Sequence, residues 1–173
     1  LVLELGVDAV VGEAARFGLS TRVPRYPSAF LGTASVIPLE MVSAYSAFAT
    51  LGERATPMAI LRVEDEHGNI VWQPQEQRDR VMSREHTWLM TNLLQDVVLR
   101  GTAYNAVWAG GFHLPSGGKT GTTDDATNVW YIGFTSDLVT GIWMGLDTPQ
   151  KIKANAAGGL LAAPAWTSFM REV

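Results

Sequence analysis

The residues best suited to chemistry stand together in Ser116-Gly117-Gly118-Lys119-Thr120-Gly121-Thr122-Thr123. Lys119 is one of only three lysines, with Lys151 and Lys153, in a chain that otherwise uses arginine. On an extended run, Lys119 and Gly121 point to one face and Thr120 and Thr122 to the other, and strand twist brings the ammonium and a hydroxyl to the same edge. Gly121 lets a second backbone or a ligand approach closely. An ammonium, two hydroxyls and exposed backbone N–H groups form a clamp for a carboxylate or a developing oxyanion. A phosphate cradle is a competing reading, because Gly-Lys-Thr is the tail of a P-loop. That motif needs a glycine where His113 stands, so it fails on spacing. The remaining alternative is structural: a strand that simply starts after a glycine-rich turn.

Other chemistry is poorly supplied. There are no cysteines, which removes thiol nucleophiles, disulfides and thiolate-bound metals. His67, His86 and His113 lack metal-ligand spacing, and no cofactor is expected. Asp124, Asp125 and Asn128 read as a solvated turn near the strand mouth, and His113 as a surface-loop residue. Glu64, Asp65 and Glu66 read as a solvated hairpin tip, since a catalytic carboxylate pair needs burial to separate its two pKa values. Trp72, Trp88, Trp108, Trp143 and Trp166 read as core, with the wall of a groove as the alternative.

With 173 residues, 47% of them hydrophobic and 17% charged, the chain belongs to the ordinary globular class. A formal charge of -4 argues against a basic nucleic-acid or membrane-surface footprint. The uncharged run Ala154 to Met170 is broken by Asn155, Gly158, Gly159 and Pro164, so no membrane contact is expected within this chain. The opening Leu1-Val2-Leu3-Glu4 has no signal-peptide character, and the chain is expected to be a piece of something longer.

The clamp needs a scaffold. A helix is predicted from Asp8, as N-cap, to Phe17, with Gly18 as the stop. Leu19 to Ser35 reads as a loop, and Pro38 to Leu51 as a helix with proline at its first position. Met58–Glu64 and Asn69–Gln73 form a hairpin signal around Gly68. Ser83 to Leu99 reads as a helix capped by Ser83, with a wide apolar stripe of Leu89, Leu93 and Val97 beside Met90, Leu94 and Val98. Strands are predicted at Lys119–Thr123, Asn128–Phe134 and Leu138–Leu146, the middle one covered on both faces. The closing helix, Leu160 to Arg171, places Leu161, Ala165 and Phe169 on one face. The fold class is α+β, an antiparallel sheet flanked by helices.

Several stretches resemble the transpeptidase domain of class A (bifunctional) penicillin-binding proteins, of which Lys-Thr-Gly is a motif. They are Leu31-Gly32-Thr33 through Ile37-Pro38-Leu39-Glu40-Met41 to Ala49, Arg100-Gly101-Thr102-Ala103, Gly118 to Thr123, Trp130-Tyr131-Ile132-Gly133, and Gly158-Gly159 through Ala162-Ala163-Pro164-Ala165-Trp166 to Met170. Ile37 stands where the family commonly has a capping threonine. The family's Ser-x-x-Lys and Ser-x-Asn motifs are expected upstream. The one Ser-x-x-Lys here, Ser116 to Lys119, lies in a glycine-rich approach to a strand and is read as accidental.

The resemblance implies a penicillin-binding-protein/β-lactamase-like fold, with 1–173 forming the C-terminal part of one transpeptidase domain. It implies a serine-type D,D-transpeptidase of peptidoglycan synthesis, acting on stem peptides ending in D-Ala-D-Ala and trapped by β-lactams. Lys119 and Thr122 would be catalytic, and Lys119, Thr120, Gly121, Thr122 and Thr123 would bind substrate. The backbone N–H of Thr122 would be half of the oxyanion hole. The rest of the parent domain would be the partner that brings the serine, so the chain alone is expected to be inactive. An extracytoplasmic location anchored by an upstream segment follows from that substrate, and the parent of a bifunctional member also carries a glycosyltransferase. The alternatives are a serine β-lactamase-type hydrolase and a non-catalytic docking module with a vestigial cleft.

Overall fold

The computed structural model describes the backbone of 2–173 and the side chains of 4–173. Two helices open the chain, α1 (Val2–Leu5) and α2 (Val7–Arg16). The N-cap of α2 is Gly6, at φ 75°, and Asp8 lies inside the first turn instead of capping it. At that position its charge still complements the helix dipole. The loop that follows contains a 3-10 turn, Pro27–Leu31.

Helix α3 (Pro38–Ala49) starts on Pro38, whose missing N–H is unneeded in a first turn. Its N-cap Ile37 makes no side-chain bond. The Glu40 carboxylate instead ties the loop to the helix, accepting from Ser20 N at 3.0 Å and Ser20 Oγ at 2.6 Å. These bonds lower the Glu40 pKa. Gly52, at φ 107°, turns the chain back against the Met82 carbonyl, where any Cβ would collide. Strand β1 (Glu53–Ala55) then follows.

The hairpin around Gly68 is present, shorter than predicted: β2 (Val63–Glu64) pairs with β3 (Ile70–Trp72). Strand β4 (Arg78–Arg80) returns to pair with β1, a ribbon without a sequence counterpart. Helix α4 (Arg84–Leu99) has the predicted cap, with Ser83 Oγ accepting from His86 N at 3.2 Å. Its stripe is only half used. Leu94, Val98 and Thr87 are buried, while Leu89, Met90 and Leu93 face outward.

The principal sheet is antiparallel, ordered β5 (Gly117–Thr122), β6 (Asn128–Phe134), β7 (Val139–Gly145). Strand β5 begins two residues before the predicted Lys119, since Gly117 and Gly118 already pair with Phe134 and Gly133. Strand β6 is central and covered on both faces, as predicted. Val129 and Tyr131 lie on the side of α5 (Ala162–Met170), and Ile132 and Phe134 on the side of α3. On the α5 side, Trp166 packs edge-on against Tyr131 and Phe112, among Val98, Val107, Ala162 and Ala163.

Two packing expectations are corrected. The buried row of α5 is Ala162, Ala163, Trp166, Thr167 and Met170, not the predicted Leu161, Ala165 and Phe169, and Phe169 is exposed. Of the five tryptophans expected in the core, only Trp166 is fully buried. Trp72, Trp88 and Trp143 are exposed and Trp108 is half-buried. An aromatic ring names a large apolar surface without naming what covers it.

Candidate active site

Among the described residues, β5 has a strand neighbour on one side only, β6. The Thr123 N–H donates to Asn128 O, which fixes the alternation along the strand. Backbone groups of Lys119, Gly121 and Thr123 face β6, and those of Gly118, Thr120 and Thr122 face the free edge. The edge thus offers the Thr122 N–H and the Thr120 carbonyl to an incoming group. Lys119 is exposed, and its Nζ reaches along this edge to donate to Thr120 O at 2.8 Å.

The register assigns the faces. Lys119 and Gly121 pair with Ile132 and Trp130 toward α3, while Thr120 and Thr122 pair with Tyr131 and Val129 toward α5. On that second face the loop before α5 crosses the strand. Gly158 lies against the Gly121 backbone and Trp130 O so closely that a Cβ would clash, and Gly158 N donates to Thr122 Oγ1 at 3.0 Å. Thr120 Oγ1 lies 2.8 Å from Thr102 Oγ1, in the turn after α4. Sequence alone singles out neither Thr102 nor Gly158 as a site residue, although both stand in stretches that carry the family resemblance.

On the α5 face of β5, the Tyr131 ring lies over Gly118, where a Cβ would come within 2.5 Å of the phenol oxygen. Burial pushes the Tyr131 hydroxyl well above the ordinary tyrosine range, so it stays protonated. Its oxygen and Trp166 Nε1 are buried without hydrogen-bond partners.

Thr123 has a different setting from the rest of the cluster. Its Oγ1 accepts from Thr127 N and Asn128 N, both at 3.0 Å, and so closes the connection between β5 and β6. Asp124 and Asp125 are exposed in that turn, and Asn128 Oδ1 accepts from Trp143 Nε1 at 2.9 Å. His113 is exposed, with its ring 4.9 Å from that of Trp108. The Asp65 carboxylate accepts from Asn69 and His67 at the tip of the small hairpin, and its pKa is lowered chiefly by the Asn69 side chain. Ser116 is buried, its Oγ without a partner. Among the described residues no His/Asp/Glu group is arranged to hold a metal, and no helix is long and apolar enough to cross a membrane.

The family profile described as the penicillin binding protein transpeptidase domain matches residues 17–171. The chain belongs to that family. Penicillin-binding protein 1A of Aquifex aeolicus is 34% identical over all of this chain, which corresponds to 23% of that relative. The Neisseria meningitidis protein of the same name is 33% identical over 99% of the chain and 22% of its own length. The chain thus spans about a quarter of the length of these curated relatives, as expected for part of a class A penicillin-binding protein. Among solved structures, penicillin-binding protein 1A from Haemophilus influenzae superposes with a TM-score of 0.90 at 25% identity, covering 99% of this chain and 32% of that one. The PonA1 protein of Mycobacterium tuberculosis, in complex with penicillin V, gives 0.81 at 21% identity, over 98% of this chain and half of that one. This transpeptidase fold is the expected α+β class, with helices on both faces of an antiparallel sheet.

Proposed function

We propose that this chain is the C-terminal part of one D,D-transpeptidase domain in peptidoglycan synthesis, and that β5 holds the acyl donor. The carrying observation is the exposed Lys119 ammonium beside the outward N–H of Thr122 on one free strand edge. A peptide ending in D-Ala-D-Ala lies along that edge. Its terminal carboxylate meets Lys119 and the hydroxyls of Thr120 and Thr122, and Gly121 keeps the strand clear between them. Thr123 contributes by closing the turn that ends the strand.

The reaction is acyl transfer. A serine hydroxyl attacks the carbonyl carbon of the penultimate D-Ala, and the oxyanion that forms is met by the Thr122 N–H together with the nucleophile's own N–H. The C–N bond breaks, and the terminal D-Ala leaves as an amine with the proton the serine gave up. An amine of a neighbouring strand then attacks the ester carbon and releases the serine. A β-lactam enters the first half and stays attached.

The serine comes from the rest of the parent domain, which stands extracytoplasmically behind an upstream membrane anchor. Ser116 is a poor nucleophile candidate, because it is buried and precedes a strand, whereas the family's nucleophile opens a helix. Labelling with fluorescent penicillin tests the reading. The full-length parent is expected to form a covalent adduct and the isolated chain to form none. A stoichiometric adduct on the isolated chain refutes the proposal. Unchanged labelling of the parent after Lys119→Ala favours the docking-module alternative, and rapid turnover of a chromogenic β-lactam favours the hydrolase.

A further inference from the structure

The clamp hydroxyls are themselves held by hydrogen bonds from other elements. A hydroxyl has one proton and two lone pairs, so what it accepts decides where it can donate. Thr122 Oγ1 accepts from the Gly158 N–H, which leaves its single proton for another acceptor. Thr120 has a partner of a different kind, the hydroxyl of Thr102, at 2.8 Å and eighteen positions earlier in the chain. In that pair either oxygen can be the donor. If Thr120 donates, its proton is spent on Thr102. If Thr102 donates, the Thr120 proton is free for an anion.

The position of Thr102 is built and not incidental. Its carbonyl packs beneath Gly159, where a Cβ would come within 2.6 Å of it and 3.9 Å from Thr120 Cγ2. The same two-glycine loop therefore delivers the Gly158 N–H to Thr122 and presses the Thr102 turn against Thr120. A carboxylate at the clamp accepts hydrogen bonds and donates none, so it selects the arrangement in which Thr102 donates to Thr120. We infer that Thr102 is a positioning residue of the clamp: its hydroxyl turns the Thr120 proton toward the substrate carboxylate. This rests on the clamp reading above and adds to it the residue that orients the clamp.

The test uses the full-length protein with Thr102→Val, Thr102→Ser, Thr120→Val and the double Val variant. Acylation is followed with benzylpenicillin and with its methyl ester, which lacks the negative charge, at concentrations where both react measurably. Thr102→Val leaves Thr120 its proton but removes the donor that orients it, so the second-order rate with benzylpenicillin is expected to fall about fivefold, the scale of one neutral hydrogen bond. The loss appears in binding and not in the limiting acylation rate. The serine variant restores the rate, the ester reacts unchanged, and the double variant is no slower than Thr120→Val. The inference is overturned if Thr102→Val reacts like the unaltered protein while Thr120→Val is slow, which leaves the clamp standing. It is overturned equally if Thr102→Val slows ester and acid alike, the mark of a structural role. If Thr120→Val and Lys119→Ala both react normally, the clamp reading itself has failed.

Discussion

The two faces of the principal sheet are finished differently. On the α5 side, Val129, Tyr131, Val107, Ala162, Ala163 and Trp166 are all 0% exposed. On the α3 side, Ile132 and Phe134 are covered as well, but the next layer is left open. Trp88, Leu89 and Leu93 on α4, which packs beside α3, are 59%, 54% and 60% exposed. Elsewhere in the chain, Ile70, Val71 and Trp72 of the small hairpin are also uncovered. A compact monomer of this mass exposes about 8,300 Å². This chain exposes 11121 Å². The hydroxyls of Thr120 and Thr122, proposed to form the clamp, rest on the sealed face and take their partners from Thr102 and Gly158, so their geometry needs only what this chain provides. The open face fits the proposal that the rest of a transpeptidase domain packs there.

The largest loss is expected at Trp166. Its replacement by alanine empties the centre of the sealed face and is expected to cost about 3–5 kcal/mol, read from denaturant unfolding. A loss below about 1 kcal/mol would mean that this face is not the structural base of the site. Alkaline pH is a gentler probe. Burial pushes Tyr45 up to about 12 and shifts Tyr131 in the same direction. A tyrosine whose folded pKa lies above its unfolded value of 10.0 contributes stability that is complete below pH 10 and is lost as pH rises toward the folded value. The unfolding free energy is expected to fall by about 2 kcal/mol between pH 9 and pH 12 from Tyr45 alone, with Tyr131 adding to the loss in the same direction and both rings un-ionised at the lower pH. The smallest effect is predicted on the open face. Leu93→Gln is expected to change the stability of this chain by less than about 0.5 kcal/mol, as for an ordinary surface position. The same change in the full-length protein is expected to cost more, and equal losses in the two would count against the open face being covered there.

Much of the local structure is legible because it is written in neighbouring residues. Pro38 and Gly52 bracket a helix, Ser83 caps one, and Gly68 turns a hairpin through a positive φ of 81°. The order and alternation of the three long strands follow from their β-rich runs. The misplaced residues have a common source. Periodicity along α4 and α5 identifies apolar rows without saying which row meets a partner, so Leu93 and Phe169 read as interior and Thr87 and Thr167 do not. The ribbon joining Glu53-Arg54-Ala55 to Arg78-Asp79-Arg80 carries charge on both strands and has no local hydrophobic signal. Lys119, Thr120 and Thr122 stand out as residue types with a clamp-like spacing. Thr102 and Gly158 do not, because their contacts with β5 span 18 and 36 positions and depend on how distant loops meet.

The position of Lys119 has a consequence for solubility. A strand with an open row of amides and carbonyls invites a strand from another molecule, and natural sheets discourage this by placing a lysine there. On β5 that lysine is the residue proposed to grip the substrate. Under that proposal the same charge admits an extended peptide that brings a compensating anion and disfavours unspecific strands that would stack edge to edge. A variant neutral at this position would be poorer at recognition and also more prone to clump, so turbidity in its preparations would follow from the missing charge and not from misfolding.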